Sequence, residues 1–479
     1  MTTTETDLRV ELLDSLLRNP HGDVVLDLET HKNILDKDPI FYAHLAMWYE
    51  RNGSIRDHKV LFPAVLGTSR VADMMTVHRG TGQWLLKTMA PYQVARVVRT
   101  IKMTGKNVPR SLRNAVADYL CSLEENEARL DGAVLSNRSE LKYLYATLHL
   151  SPSDRADDIL FKDNPPEGSK PWAVKEAANR TDVYERAKII AEYDIPVQVA
   201  TSLISFDDPV GLAALVQAMT PQQTINYLKA IKRSGGFDNA DIRNAVEAKL
   251  QAAKSDKRVS AYKTKVAAQA AGVDSETEDL LEEVRETQLK AKGRITRTTA
   301  MLVDISGSQA VGIEVTKHLA PLIASACDSE LHVLAFNTAV YPVPKPEDMS
   351  LRGMERAMAG LRATGGTSCG LPITWLERNN IIVEQFVYVT DEDENTYPSF
   401  VAAYQSYAEV TNNKPAVIIV RVGQFLTNKL QLSCQQLGIE YNAFEFTGDY
   451  YALPDVLNYL TGKSRVDLVM EIMETPLPV

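Results

Sequence analysis

The sequence predicts an α-solenoid of helical hairpins followed by an α/β doubly wound domain. Three observations carry that expectation. Helix signals run from residue 38 to about 270 with no strand pattern between them. One helical hairpin occurs twice within that region. From residue 299 onward, apolar runs of the kind buried parallel strands carry alternate with helical periodicity.

The elements follow in chain order. Residues 1–30 have weak periodicity and are expected to be partly mobile. Asp38 can cap a helix that begins at Pro39, with Phe41, Leu45, Trp48 and Tyr49 marking one face. Gly53 ends it, and Asp57 can cap the next helix. Residues 90–120 then align without gaps to residues 220–250, with ten of 31 positions identical. The shared pattern is a helix opening on Pro91 or Pro221, a glycine stop at Gly105 or Gly235, and a second helix carrying Arg-Asn-Ala-Val. Hairpins that cannot bury a core alone stack into a solenoid. Residues 164–171, rich in proline, form a loop between helical blocks. A Glu-rich helix over 273–293 leads by a short connection into the strand at 299. The expected domains are 31–296, the solenoid; 297–465, the α/β domain; and 466–479, an apolar tail docking on the solenoid.

Within the second domain the expected order is strand 299–303, helix 312–327, strand 331–336, an extended stretch 339–343 and helix 349–360. Strands 385–390 and 416–422, helix 428–437, strand 440–446 and helix 455–460 follow. Ligands of such sheets bind outside the carboxyl ends of the strands. Three loops there carry oxygen donors: Asp304, Ser306 and Ser308 after the first strand, Thr367 in a glycine-bearing turn, and Asp391 after strand 385–390. Carboxylate and hydroxyl oxygens suit a hard divalent cation, Mg²⁺ first. Neutral hydroxyls leave such an ion under-neutralised, so it seeks a carboxylate or phosphate from outside. The rest of the acidic run 391–394 is expected to be solvated loop. The eight histidines do not cluster near this site and no nucleophile pair stands out, so an enzyme is not expected.

Charge separates the two regions. The whole chain of 479 residues carries −10, and residues 298–479 hold 11 Lys and Arg against 21 Asp and Glu. The remainder is neutral overall but contains residues 74–117, which hold eight cations and no acid: Arg79, Lys87, Arg96, Arg99, Lys102, Lys106, Arg110 and Arg113. A one-sign field of this kind marks a polyanion site. The second hairpin adds Lys229, Lys232, Arg233 and Arg243, and residues 254–265 add five further cations. Arg113 and Arg243, shared by the repeats, can instead serve as structural contacts. Four scattered cysteines, a polar start without a secretory leader and the lack of a long apolar run point to a reducing, cytoplasmic setting, with neither membrane nor DNA as partner.

The pattern of Asp304, Ser306, Ser308, Thr367 and Asp391 resembles the metal-ion-dependent adhesion site of von Willebrand factor A domains. The whole chain resembles the TROVE proteins of the Ro autoantigen family, bacterial relatives included. That resemblance rests on the run from Asp38 to Asp57, on the hairpins and on the A-domain motif. It implies a ring of HEAT-like hairpins that binds small structured noncoding (Y-like) RNA on a basic surface and admits ends of misfolded RNA. A second function class stays open: a scaffold whose metal site captures an acidic residue of a protein partner, without RNA.

Overall fold

The computed structural model describes residues 3–17, 24–53, 56–291, 294–346, 351–423, 427–439, 441–446, 460 and 465–478. The chain divides into two compact units. One comprises Met1–Val259, Lys263–Leu281 and Val466–Val479; the other comprises Ser260–Tyr262 and Glu282–Arg465. The division falls inside the helix Ser275–Lys290, earlier than the expected boundary at 297.

The first unit is helical throughout its described residues. Its helices pack on the next but one in sequence. Val24–Lys37, Arg56–Thr68, Pro91–Met103, Glu127–Leu148 and Lys170–Asn179 form one layer, and Pro39–Asn52, Met75–Thr88 and Arg110–Glu124 the other. Val183–Glu192, Pro209–Ala218 and Ala240–Ala253 continue the same rule. This is the stacking of a solenoid, where each hairpin buries its apolar face on its neighbours. The cap expected at Asp38 is present, its carboxylate accepting from the Phe41 N–H at 2.9 Å. Despite weak periodicity, Thr3–Leu17 is a helix, and Leu12, Leu13 and Leu16 are buried. They share a core with Phe41, Tyr42 and Leu45 and with Val469 and Ile472 of the C-terminal helix Arg465–Glu474. His44 Nδ1 and Trp48 Nε1 reach the Thr475 carbonyl and the Glu471 carboxylate of that tail at 2.7 and 3.1 Å.

The repeat has a local physical cause. Gln93 and Gln223 each turn back to accept from the N–H three residues earlier, at 3.0 and 2.8 Å, so both hairpins open on the same cap. Gly105 and Gly235 stand at φ +71° and +76°, a conformation that costs residues with a Cβ. Ile101 and Ile231, Val116 and Val246, and Leu120 and Leu250 are buried in pairs.

The second unit holds one six-stranded sheet: β1 (Thr299–Asp304), β2 (Leu331–Phe336), β3 (Val340–Pro342), β4 (Gln385–Thr390), β5 (Ala416–Arg421) and β6 (Tyr441–Glu445), in the order β3-β2-β1-β4-β5-β6. β3 runs antiparallel to β2 and all other pairs are parallel. Alternate residues serve opposite faces. Met301, Val303, Val387, Val389, Ile418 and Val420 pack with helices Ala310–Ala326 and Leu351–Met358. Leu302, Phe386, Tyr388, Val417 and Ile419 pack with Leu371–Arg378, Phe400–Thr411 and Lys429–Leu437. Helix Phe400–Thr411 is absent from the sequence reading, although a parallel β4–β5 connection requires a crossover. The expected helix at 455–460 lies, apart from residue 460, outside the described residues, as do the end of helix 273–293 at Gly293 and part of the run from Asp38 to Asp57. No single described helix is long and apolar enough to cross a membrane, and all four cysteines are free thiols.

Candidate metal centre and basic surface

β1 is central because all six of its residues are apolar or satisfied internally, and all are buried. It sends β2 to one side and pairs with β4 on the other, so the strand order reverses between β1 and β4. That reversal opens a crevice at the carboxyl ends, where Asp304 ends β1 and Asp391 follows β4.

The Asp304 carboxylate is fully buried. It accepts from the Ser306 N–H and from the Thr390 hydroxyl, both at 2.8 Å. Burial pushes its pKa up to about 6; the Ser306 and Thr390 hydrogen bonds oppose that rise, and the Asp391 charge adds to it. Ser308 Oγ donates to Asp391 Oδ2 at 2.6 Å and lies 3.4 Å from Ser306 Oγ. Ser306, Thr367 and Asp391 are buried, whereas Ser308 is exposed.

Thr367 arrives through a stitched loop. The Gly307 N–H donates to the Gly365 carbonyl at 3.0 Å, and the Thr364 N–H to the Ile305 carbonyl at 2.8 Å. Buried Asn337, at the end of β2, holds the Thr364 carbonyl at 2.8 Å. From the other side, the N–H groups of Asn395 and Thr396 donate to the Thr367 carbonyl at 3.0 and 2.9 Å. Gly365 has φ +80°, and a Cβ on Gly366 would stand 2.8 Å from Thr396 Oγ1, so both glycines are required by the turn. Hydrogen bonds thus link Asp304 to Ser306, Ser306 to Ser308 and Ser308 to Asp391, and the Gly307–Gly365 bond joins the loop that carries Thr367 to theirs.

The residues present fit a hard cation. They offer two carboxylates and three hydroxyls, and the Thr367 hydroxyl has no hydrogen-bond partner among the described residues. Such a set contains only two acids, so it differs in kind from clusters of three or more His, Cys, Asp or Glu, of which the described residues hold none suited to a metal. Asp304, Ser306, Ser308, Thr367 and Asp391 are the groups that would hold the ion, with Ser308 on the open side.

The acidic run beyond Asp391 departs from expectation. Glu392 is not solvated: it is fully buried and accepts from Arg421 Nε at 2.6 Å, Gln431 Nε2 at 2.7 Å and the Gln431 N–H at 3.0 Å. Arg421 also reaches Glu445 and the Thr427 carbonyl. Glu394 accepts from the N–H groups of Phe400 and Cys369 at 2.7 and 3.1 Å, and burial raises its pKa. Only Asp393, paired with Lys429, behaves as a surface acid. Glu392 reads as solvent-facing in the sequence because its side-chain partners, Arg421 and Gln431, lie 29 and 39 residues further on.

On the helical unit, the acid-free segment spans helices Met75–Thr88, Pro91–Met103 and the start of Arg110–Glu124. Arg79, Lys87, Arg99, Lys102, Lys106 and Arg110 are exposed, and none makes an ion pair among the described residues. Arg99 stands over the Tyr143 ring, 4.5 Å from its centroid. Two predicted members are otherwise engaged. Arg96 pairs with Asp57 at 2.6 Å. Arg113 caps the end of helix Glu127–Leu148, donating to the Leu148 and His149 carbonyls at 2.8 and 3.0 Å. Its repeat counterpart Arg243 works differently, holding the Phe237 carbonyl at 2.9 Å and pairing with Asp274 at 3.4 Å. Lys229 and Arg233 are exposed, and Lys232 donates to the Gly272 carbonyl. Further on, Arg258 pairs with Asp256 and Lys265 is buried, so the 254–265 cations do not form one open surface.

Residues 297–428 match the family model described as the Ro60 vWA domain. That segment is similar to the A domains of the Ro60 type. Over almost the whole chain the fold is similar to that of the Ro (RSR) protein of Deinococcus radiodurans, with a TM-score of 0.64 and 15% identity, covering 90% of this chain and 93% of that one. A proximal thread matrix protein from the mussel byssus matches 35% of this chain and 48% of its own at 13% identity, with a TM-score of 0.28, too low to support any argument. The fold of the chain is thus similar to that of the Deinococcus Ro protein, and residues 297–428 are similar to the Ro60 vWA domain. The sequence pattern singled out Asp304, Ser306, Ser308, Thr367 and Asp391 on these loops, but not Thr390, which holds Asp304, nor Asn337, which holds the glycine loop. A hydroxyl at a strand end and an asparagine after Phe336 carry no distinctive spacing.

Proposed function

We propose that this chain is a Ro-type RNA-binding protein that takes small structured noncoding RNA on the surface formed by Arg79, Lys87, Arg99, Lys102, Lys106 and Arg110. One observation carries the reading: these six exposed cations share a stretch of 44 residues without a single acid. Arg99 and Lys102 sit on one helix, Lys106 in the turn and Arg110 on the next helix, so phosphates along a backbone can be neutralised in succession. Single-stranded ends of misfolded RNA are a second ligand within the same reading. The A domain is proposed to hold Mg²⁺ at its five-residue centre, as a docking point and without a catalytic step. Its open side at exposed Ser308 would take a carboxylate or phosphate from a partner. The protein is placed in the cytoplasm, where its four thiols would remain reduced.

The test is binding of structured RNA by the full chain across a salt series. The expected slope is steep, and changing Lys102, Lys106 and Arg110 to Glu lowers its magnitude by roughly 2 to 3 units on the log–log scale. No RNA binding at low salt overturns the proposal. An absorbance ratio of the purified protein typical of protein alone, with metal-dependent capture of a protein partner lost in Asp304→Ala, would favour the scaffold instead.

A further inference from the structure

A cavity of about 220 Å³ lies within the helical unit. Helix Pro39–Asn52 contributes Ala46 and Glu50, and helix Arg56–Thr68 contributes Lys59 and Phe62. The other four lining residues, Leu85, Thr88, Met89 and Gln93, belong to the acid-free segment. A dry cavity of about 150 Å³ already admits benzene, so this one has room for a heterocyclic ring system. Ala46, Phe62, Leu85 and Met89 supply buried apolar walls.

The polar groups beside those walls are half-buried at Glu50, Lys59 and Gln93 and exposed at Thr88. Lys59 donates its only hydrogen bond among the described residues to the Glu50 carbonyl at 2.6 Å, which leaves two of its three ammonium protons for a ligand. Burial lowers its pKa, the Glu50 charge opposes that, and Arg56 adds to it. The Glu50 carboxylate makes no ion pair among the described residues. Gln93 uses its carbonyl oxygen for the helix cap, so its amide NH₂ is left over. Thr88 spends its proton on the Leu85 carbonyl and retains an acceptor. The cavity therefore presents donors at Lys59 and Gln93 and a carboxylate acceptor at Glu50, between apolar walls.

We propose that this cavity receives an unpaired guanine base of bound RNA. Guanine offers O6 and N7 as acceptors for Lys59 and Gln93, and its N1–H and N2 amine as paired donors for the Glu50 carboxylate. Adenine has an acceptor at N1 and would set it against Glu50. The choice of an RNA base as occupant rests on the RNA-binding reading above.

The experiment titrates the full-length protein with guanosine monophosphate and adenosine monophosphate by calorimetry, alongside the structured RNA. Guanosine monophosphate is expected to bind at least tenfold more tightly than its adenine counterpart. Glu50→Gln, close in shape and volume, should remove that preference, and Lys59→Met should weaken guanine binding with the helical content unchanged by circular dichroism. RNA binding without guanine binding, or an equal response to both nucleotides, overturns the base pocket and leaves the RNA surface standing. Guanine binding with no RNA binding overturns both the RNA occupant and the RNA reading.

Discussion

Glu392 provides the sharpest test of how the A domain is held. Replacing it with Ala removes a fully buried carboxylate that accepts three hydrogen bonds, two of them from Arg421 and the Gln431 side chain and one from the backbone at the start of helix Lys429–Leu437. Breaking a buried ion pair by deleting one partner costs about 3–5 kcal/mol. Arg421 keeps Glu445 and the Thr427 carbonyl, which favours the lower end, but the helix start also loses an acceptor for about 1 kcal/mol more. The expected loss is about 3–5 kcal/mol. The neighbour Asp393 is half exposed and pairs with Lys429, so Asp393→Ala should cost only about 0–1 kcal/mol. Because the chain has two units, a single melting curve mixes their transitions. Native-state hydrogen exchange of peptides from β1, β4 and β5 reads this unit alone. A loss below about 1 kcal/mol in Glu392→Ala, or equal losses in the two variants, would refute the buried-network argument and restore a solvated loop.

Two further outcomes follow from the same geometry. Mg²⁺ at a hundredfold excess over its dissociation constant should stabilise the A domain by about 2.7 kcal/mol, and Asp304→Ala should abolish both that gain and the calorimetric heat of Mg²⁺ binding. An unchanged heat would remove the metal from the five-residue centre. In the helical unit, His31 is buried between Tyr42 and His58, 2.8 and 2.9 Å from them, and burial followed by the His58 charge lowers its pKa well below 6.5. The folded state resists protonation that the unfolded chain accepts. Stability is therefore full above pH 6.5 and falls below it by about 1.4 kcal/mol per pH unit for this group. His31→Phe should flatten that part of the urea-unfolding profile between pH 5 and 6.5, and a profile as steep as wild type would count against the assignment.

What the sequence determined on its own was periodic or local. The cap at Asp38, the glycine stops at 105 and 235, and the apolar runs at β1, β4 and β5 are each encoded within a few residues, so the solenoid and the sheet were legible. The loops that carry the five candidate residues were legible too, because strand ends are recognisable and a parallel sheet gathers them on one edge. Tertiary structure alone decided which charged groups are free. Arg113 and Arg96 match the exposed cations in sequence, yet one caps a helix 35 residues on and the other meets an acid 39 residues back. Glu392 looked like its neighbours until Arg421 and Gln431 folded over it. Charge belongs to the residue, but whether a charge faces water or a partner depends on long-range contacts that no local pattern contains.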